Sequence, residues 1–529
     1  MNNVRTILRE HSWAIILAVL LSILVVAPQL VFRAEHKDVE NRIELIPDSP
    51  WSPRVREIQD GYSFGNIYNK HGKDNPYLFQ PLGSMIVAYM GSVFGLDIND
   101  TILLSRVVLP FVTFLILYWF VFLISKDRLV SLISASALLV ADSVLSFSGI
   151  MYLLQGVSPD NFLRLARPVN PAMVYIFFFG FLALFWKFYE NRKISFGVLS
   201  AIVLGLNFYN YFYTWTYLYA FWVFLIFIMA LYKQWKAVLQ ISLVYVGGGI
   251  VAIPYFINMY RATHYPAFEE VGARLGTIFT HYPLFIGFSS LAALLVFFFL
   301  YPKEDKQKYF FGLALLLTPF LTMNQQIITG RIMQADHYHW FFHKPIAFIF
   351  VLIIFFTFLN KEKFIKYRTY VGVVALVACF GIGIFVQAHS YQYDRRDGGA
   401  IAENRQIYAP VMKWLNENAT TGAMVFSNDE VSHLTVIYTP HNVLFHRAAC
   451  CTTLSATDEQ MFDTVSLFYR IRDIKKDDVA EIFEEEKDFI SSQIHGIYYR
   501  KLYGQYHLVP DDEISKFTDK FVATLSIPT

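Results

Sequence analysis

A carboxylate and two arginines follow the first apolar segment at short spacing. The connection after that apolar segment contains Asp48, Arg54 and Arg56, and its residues 46–61 read IPDSPWSPRVREIQDG. A carboxylate just outside a membrane acts as a general base or a metal ligand when partial desolvation and nearby arginines tune its pKa. Charges beside apolar segments are costly, which favours a functional role, so Asp48 is a candidate catalytic residue and Arg54 and Arg56 are candidate substrate-binding residues. The alternative is that Asp48 caps a short helix predicted at 53–60, because Asp-Ser-Pro-Trp also suits a helix start.

A second connection places another carboxylate beside two arginines. Asp160 is its only carboxylate, and Arg164 and Arg167 follow it. Guanidinium groups bind phosphate well, so the two arginines are candidate phosphate ligands. Asp160 is a candidate catalytic residue together with Asp48, and its alternative role is again a helix cap. Because no paired acidic motif is present, metal dependence stays open.

A third connection, before the tenth apolar segment, concentrates cationic and aromatic side chains. It contains Arg331, His337, His339, His343 and Lys344. Cations and hydrogen-bond donors at the edge of a membrane suit a lipid-linked phosphate. A metal site formed by His337, His339 and Asp336 is one alternative, although a His-x-His pair alone is a weak signal. An interfacial aromatic belt with solvated histidines is the other.

The elements that must position these residues are membrane-spanning helices. The 529 residues are 55% hydrophobic and only 16% charged, whereas soluble domains are about 25% charged. The net charge of +2 says little by itself, but nucleic-acid-binding proteins show large basic patches and none is visible, so no nucleic-acid partner is expected. About 20 apolar residues cross a bilayer. Such runs lie near 12–32, 103–125, 129–149, 172–189, 194–212, 214–232, 237–259, 283–301, 308–323, 345–359 and 369–387.

Lysines and arginines predict the orientation of these eleven segments in the cell membrane. They cluster on alternate connections, beginning with Arg5 and Arg9, and such residues mark the cytoplasmic side. The N-terminus is therefore expected inside and the C-terminal part outside. Residues 80–96 are apolar but short and broken by glycine, so they predict an interfacial helix within an outer loop.

The chain divides into two predicted domains. Residues 1–387 form a transmembrane domain with a large first outer loop at 33–102, and residues 388–529 contain no spanning run. Strand-like segments at 423–427 and 434–438 alternate with helix-like ones in this second part. The predicted fold is a polytopic α-helical membrane protein of about 11 transmembrane helices with a small C-terminal extracytoplasmic α/β domain.

The first outer loop resembles that of the GT-C glycosyltransferases. The shared features are an acidic residue, then Pro-Trp, then an arginine about six residues on, an amphipathic helix and a glycine, all placed after the first span. The oligosaccharyltransferase catalytic subunit, the protein mannosyltransferases and the aminoarabinose transferases belong to this superfamily. The motif covers about fifteen residues, whereas the span number and the C-terminal outer domain resemble the family over the whole chain. The Trp-Trp-Asp signature of the oligosaccharyltransferase is absent.

The resemblance implies a membrane enzyme that transfers a sugar from a polyprenyl-phosphate donor to a glycan, lipid or protein acceptor, with inversion. It implies that Asp48 activates the acceptor or helps to bind a divalent metal, and no cofactor is certain. The phosphate would lie beneath the late loop. The alternative is a polytopic transporter or a flippase for lipid-linked glycans, which would place charges in the middle of the spans.

Overall fold

The structure, a computed structural model, describes residues 9–45, 51–158, 161–394, 401–446, 448–454, 456–472, 474–496 and 511–525. Nearly all of its elements are helices. The α-helices of the first part are Ser12–Glu35, Ser52–Gln59, Leu82–Val93, Ile98–Ser125, Arg128–Val140, Phe147–Leu154, Val174–Asn191, Ile194–Asn210, Phe212–Leu231, Trp235–Val251, Ile253–Thr263, Phe268–Arg274, Phe288–Leu300, Lys306–Thr322, Gln326–Thr329, Asp336–Tyr338, Lys344–Leu359 and Ile365–Gln392. The π-helical segments Pro168–Met173 and His339–His343 lead directly into the helices that follow them.

Seven helices among the described residues are long and apolar enough to cross a membrane, and one bent pair, Trp235–Val251 with Ile253–Thr263, brings the number to eight. Three other predicted segments coincide with shorter apolar helices, Arg128–Val140, Ile194–Asn210 and Phe288–Leu300. The protein is therefore a polytopic helical membrane protein. The number of eleven spans and their orientation stay predictions.

Small residues bring several of these helices together. Gly205 faces Gly248 and Val251 so closely that an added Cβ would clash with both, and Gly383 faces Val140 in the same way. Close approach through small residues is the usual packing mode between membrane helices, because lipid provides no hydrophobic driving force between them. The sequence therefore builds a tight helical framework, from which the loops emerge.

The C-terminal part is mainly helical. Its helices are Ile401–Arg405, Ala409–Asn418, Asp429–Tyr438, Ala449–Thr452, Asp458–Ile471, Val479–Glu485, Lys487–His495 and Asp511–Leu525. Its described strands, Met424–Val425 and Asn442–Val443, form one parallel pair of two residues each. A second, antiparallel pair joins Thr277–Phe279 to Arg331–Met333 in the first part of the chain.

The predicted strand at 434–438 is wrong, because this segment belongs to the helix Asp429–Tyr438. Asn428 caps that helix, since its side chain accepts a hydrogen bond of 2.8 Å from the Val431 amide. Asp429 and Glu430 in the first turn complement the helix dipole. The β-branched residues of the segment favour a strand locally, but the cap and the packing of the helix outweigh that preference.

The C-terminal part is fastened to the first loop. His36 Nε2 lies 2.7 Å from Glu403, and the Tyr438 hydroxyl accepts a hydrogen bond of 3.0 Å from the Glu44 amide. Residues 402–443 contribute to the same hydrophobic core as the membrane helices, whereas a separate core built on Phe468 and Phe483 lies further along the chain. The predicted boundary at 387/388 falls inside the helix Ile365–Gln392.

Candidate functional site

A cavity of about 1310 Å³ lies where the loops, the ends of the apolar helices and the C-terminal part meet. Its walls come from distant parts of the chain. Trp51 and Phe79 belong to the first loop, Asn170 to the second connection, Thr277 to a later loop and Ser492 to the C-terminal part. Such concave, largely aromatic spaces with a few convergent polar groups are typical ligand sites. The cavity is therefore the candidate site.

Three of the predicted cationic residues line this cavity: Arg167, Arg331 and His337. Arg331 is exposed, and it lies on a short strand whose pairing places it opposite Phe279. Within the described ranges only its main chain is hydrogen-bonded, so its guanidinium is available to a ligand. His337 Nδ1 lies 2.6 Å from the Tyr211 hydroxyl, which orients the imidazole. These side chains offer several donors to an anion.

Another part of the lining is aromatic and belongs to the membrane helix Phe212–Leu231. Trp215, Tyr219 and Trp222 line the cavity at spacings of four and three residues, which places them on one face of that helix. Trp215 stacks on Phe208 with ring centroids 4.4 Å apart, and the Tyr219 hydroxyl donates a hydrogen bond to a main-chain carbonyl. The cavity thus continues from polar loops along a membrane helix.

Two carboxylates line the cavity among the described residues, and sequence reasoning missed both. Glu269 is exposed at the start of the short helix Phe268–Arg274, and Asp429 lies in the first turn of Asp429–Tyr438. Glu269 could have been identified as a candidate from the sequence, because it is an acidic residue in one of the long loops. Asp429 had no signal, because an aspartate after asparagine reads as an ordinary helix start.

The two predicted catalytic carboxylates, Asp48 and Asp160, lie outside the described residues. Each precedes a described residue of the cavity wall, Trp51 in the first loop and Arg167 in the second connection. Their catalytic assignment therefore stays a prediction.

The structure does not bring Arg54 and Arg56 to the cavity wall. Arg54 is only 4% exposed, contacts the ring of Phe79 and donates hydrogen bonds of 3.4 Å to the carbonyls of Phe79 and Thr452. Burial lowers the pKa of this guanidinium to about 10. Arg56 pairs with Asp60 one helical turn away, at 2.9 Å. Arg54 thus links the first loop to the C-terminal part, which the charge pattern did not reveal.

The buried carboxyl of Glu57 makes stability depend on pH. Burial raises its pKa to about 7, although it is paired with Lys73. The folded protein therefore keeps a proton that the unfolded chain releases above its ordinary pKa of 4.5. This contribution is complete below about pH 4.5 and is lost as the pH rises through about 7.

Replacing Glu57 with glutamine should remove this pH dependence. When the pH rises from 4.5 to 7.5, the free energy of unfolding of the wild type should fall by on the order of 1–3 kcal/mol more than that of Glu57→Gln, as measured by thermal unfolding in detergent. Equal slopes would contradict this assignment.

Arg164, His339, His343 and Lys344 do not line the cavity. His343 is buried, with Nε2 2.9 Å from the Thr322 hydroxyl, and His339 packs edge-on against it. Arg164 and Lys344 form a separate group beside Trp340. The late connection is therefore divided between two places, which its sequence did not indicate.

The structure does not assemble the alternative metal site at His337 and His339. His337 faces the cavity and Tyr211, whereas His339 packs beside His343. In the parts of the chain that the structure describes, no group of three or more His, Cys, Asp or Glu side chains is arranged to hold a metal ion.

The site therefore combines cationic loop residues, two described carboxylates and an aromatic wall in one space. No protein-family model matches the chain, and no curated protein is significantly similar to it.

Proposed function

We propose that the protein is a membrane glycosyltransferase of the GT-C type, which transfers a sugar from a polyprenyl-phosphate donor to an acceptor bound beneath the C-terminal part. The observation that carries this proposal is the two-ended lining of the cavity. Arg167, Arg331 and His337 lie at its loop end, and Trp215 and Trp222 lie along a membrane helix. A lipid-linked phosphate needs both environments, because its charge requires donors while its chain remains in lipid.

The proposed reaction is a single displacement. Asp48 takes the proton of the acceptor hydroxyl as its oxygen attacks the anomeric carbon of the donor sugar. The bond between that carbon and the phosphate oxygen breaks, and polyprenyl phosphate leaves with the bonding electrons. Arg331 and His337 stabilise the negative charge of the leaving group. One displacement inverts the anomeric centre, and the aromatic wall holds the first part of the lipid chain.

The proposal includes eleven spans in the cell membrane, with the N-terminus on the cytoplasmic side and the C-terminal part outside. The donor would then reach the cavity from the outer leaflet. Asp429, Thr452 and Ser492 of the C-terminal part line the cavity, so this part would shape the acceptor position. A glycan, a lipid or a protein hydroxyl fits this role.

Arg331→Ala should weaken donor binding. The exposed guanidinium would lose a charge-assisted contact with the phosphate, which is worth on the order of 1–3 kcal/mol. Radiolabelled polyprenyl-phosphate sugars are first screened to identify the donor that the purified wild type binds. The affinities of the wild type and of Arg331→Ala for that donor are then compared. Arg261→Ala is the matched control, because Arg261 is also exposed but does not line the cavity. Equal donor affinity in the wild type and Arg331→Ala would place the phosphate elsewhere. Donor translocation without sugar transfer would favour the flippase alternative.

A further inference from the structure

Lys344 is a nearly buried cation near the start of a membrane helix. The side chain lies in the span Asp336–Leu359, eight residues after its first residue, which corresponds to about 12 Å along a helix. The residue is only 8% exposed. Ammonium groups at such a depth are costly unless a counter-charge accompanies them.

The described residues provide Lys344 with a π-system but with no ion-pair partner, because the charge of Asp142 acts on it only from beyond ion-pair distance. Its ammonium nitrogen lies 3.2 Å from the centroid of the Trp340 ring. Arg164 contacts the same ring at 4.7 Å, and its Nε lies 2.7 Å from Asp142. Asp142 therefore already has a guanidinium partner, whereas Lys344 forms no hydrogen bond or ion pair with a described residue. The indole N–H of Trp340 likewise has no acceptor among the described residues.

A lipid-facing surface begins farther along the same helix, at Val351. Val351, Phe355 and Phe358 are exposed, and they follow Lys344 by seven, eleven and fourteen residues. At 3.6 residues per turn these positions lie within about 40° of Lys344 around the helix axis. The turn that contains Asp142 packs against this helix and leads into the exposed apolar helix Phe147–Leu154. An acyl chain on this face therefore begins about two turns, roughly 10 Å, beyond Lys344, after the partly buried Phe348.

We infer that Lys344 and Trp340 bind the phosphate of an anionic glycerophospholipid, whose acyl chain lies along Val351, Phe355 and Phe358. The phosphate supplies the missing counter-charge and an acceptor for the indole N–H. The site lies outside the cavity, and it holds whether or not the protein transfers sugars.

Native mass spectrometry of the purified full-length protein, titrated with phosphatidylglycerol or phosphatidylcholine of the same chains, tests this inference. We expect one phosphatidylglycerol to bind at least about tenfold more tightly than phosphatidylcholine, and Lys344→Gln to remove most of that preference. Lys344→Arg should keep it. Lys303→Gln is the matched control, because Lys303 also lies over an aromatic ring, that of Phe298, but is outside the proposed lipid site. Its lipid binding should equal that of the wild type.

Three results would overturn the inference. One is equal affinity of the wild-type protein for the two lipids, a result that does not depend on the folding of any variant. Another is an unchanged preference in Lys344→Gln. The third is equal affinity for glycerol 3-phosphate and for phosphatidylglycerol. The acyl chain would then contribute nothing to binding, and the site would bind a soluble phosphate.

Discussion

Replacing Asp48 with asparagine should reduce sugar transfer by roughly 10²–10⁴-fold, the usual loss when a positioned base is removed. Donor binding should be largely kept, because the proposed phosphate contacts come from Arg331 and His337. Asparagine preserves the shape and a capping oxygen but cannot take the acceptor proton. The measurement is the rate of transfer to the acceptor, with donor affinity determined in parallel.

Asp60→Asn is the matched control for this experiment. Asp60 ends the helix Ser52–Gln59 in the same loop and pairs with Arg56, but it does not line the cavity. Its replacement should leave transfer near the wild-type rate. If Asp48 is only a helix cap, Asp48→Asn will be folded and active. That result would contradict the assignment of Asp48 as the catalytic base. Asp160, and then Glu269, would be the next carboxylates to test.

Replacing Arg274 with methionine should lower the free energy of unfolding by on the order of 3 kcal/mol. Arg274 is 2% exposed and links a loop of the cavity to the C-terminal part. Its Nη2 donates a hydrogen bond of 2.5 Å to the Ala456 carbonyl, and its Nε lies 3.2 Å from Asp458. A charged hydrogen bond such as the one to Ala456 is worth about 1.5–3 kcal/mol, and methionine preserves only the packing of the stem. Chemical denaturation in detergent measures the effect.

Arg472→Met provides the comparison. Arg472 pairs with Glu486 at 2.9 Å within the C-terminal part, but both side chains are about a third or more exposed. Exposed ion pairs contribute roughly 0–1 kcal/mol, so this variant should unfold close to the wild type. Arg274→Met should also expose the C-terminal part to limited proteolysis, since its attachment at Ala456 is lost. Equal stability of the two variants would mean that Arg274 does not hold the C-terminal part in place.

Single-residue patterns predicted secondary structure well only where one preference dominated. The apolar runs predicted helices correctly, since a chain in lipid must satisfy its backbone hydrogen bonds internally. The segment 434–438 was different, because its β-branched residues favour a strand while the preceding Asn-Asp-Glu favours a helix start. The helix cap and the burial of the side chains stabilise the helix more than the β-branched residues favour a strand. A local sequence pattern does not show which side chains will be buried.

The sequence by itself determined that this is a polytopic helical membrane protein and that its loop cations are candidates for an anion site, Arg164, Arg167, Arg331, His337, His339, His343 and Lys344 among them. Those conclusions need only composition, periodicity and residue chemistry. Only the tertiary structure decided which of the cations share a space. It placed Arg331 in the cavity, buried Arg54 under the C-terminal part and set Lys344 beside Trp340. The physical reason is that these positions depend on contacts between residues far apart in the chain, such as Arg54 with Thr452, which no local pattern records.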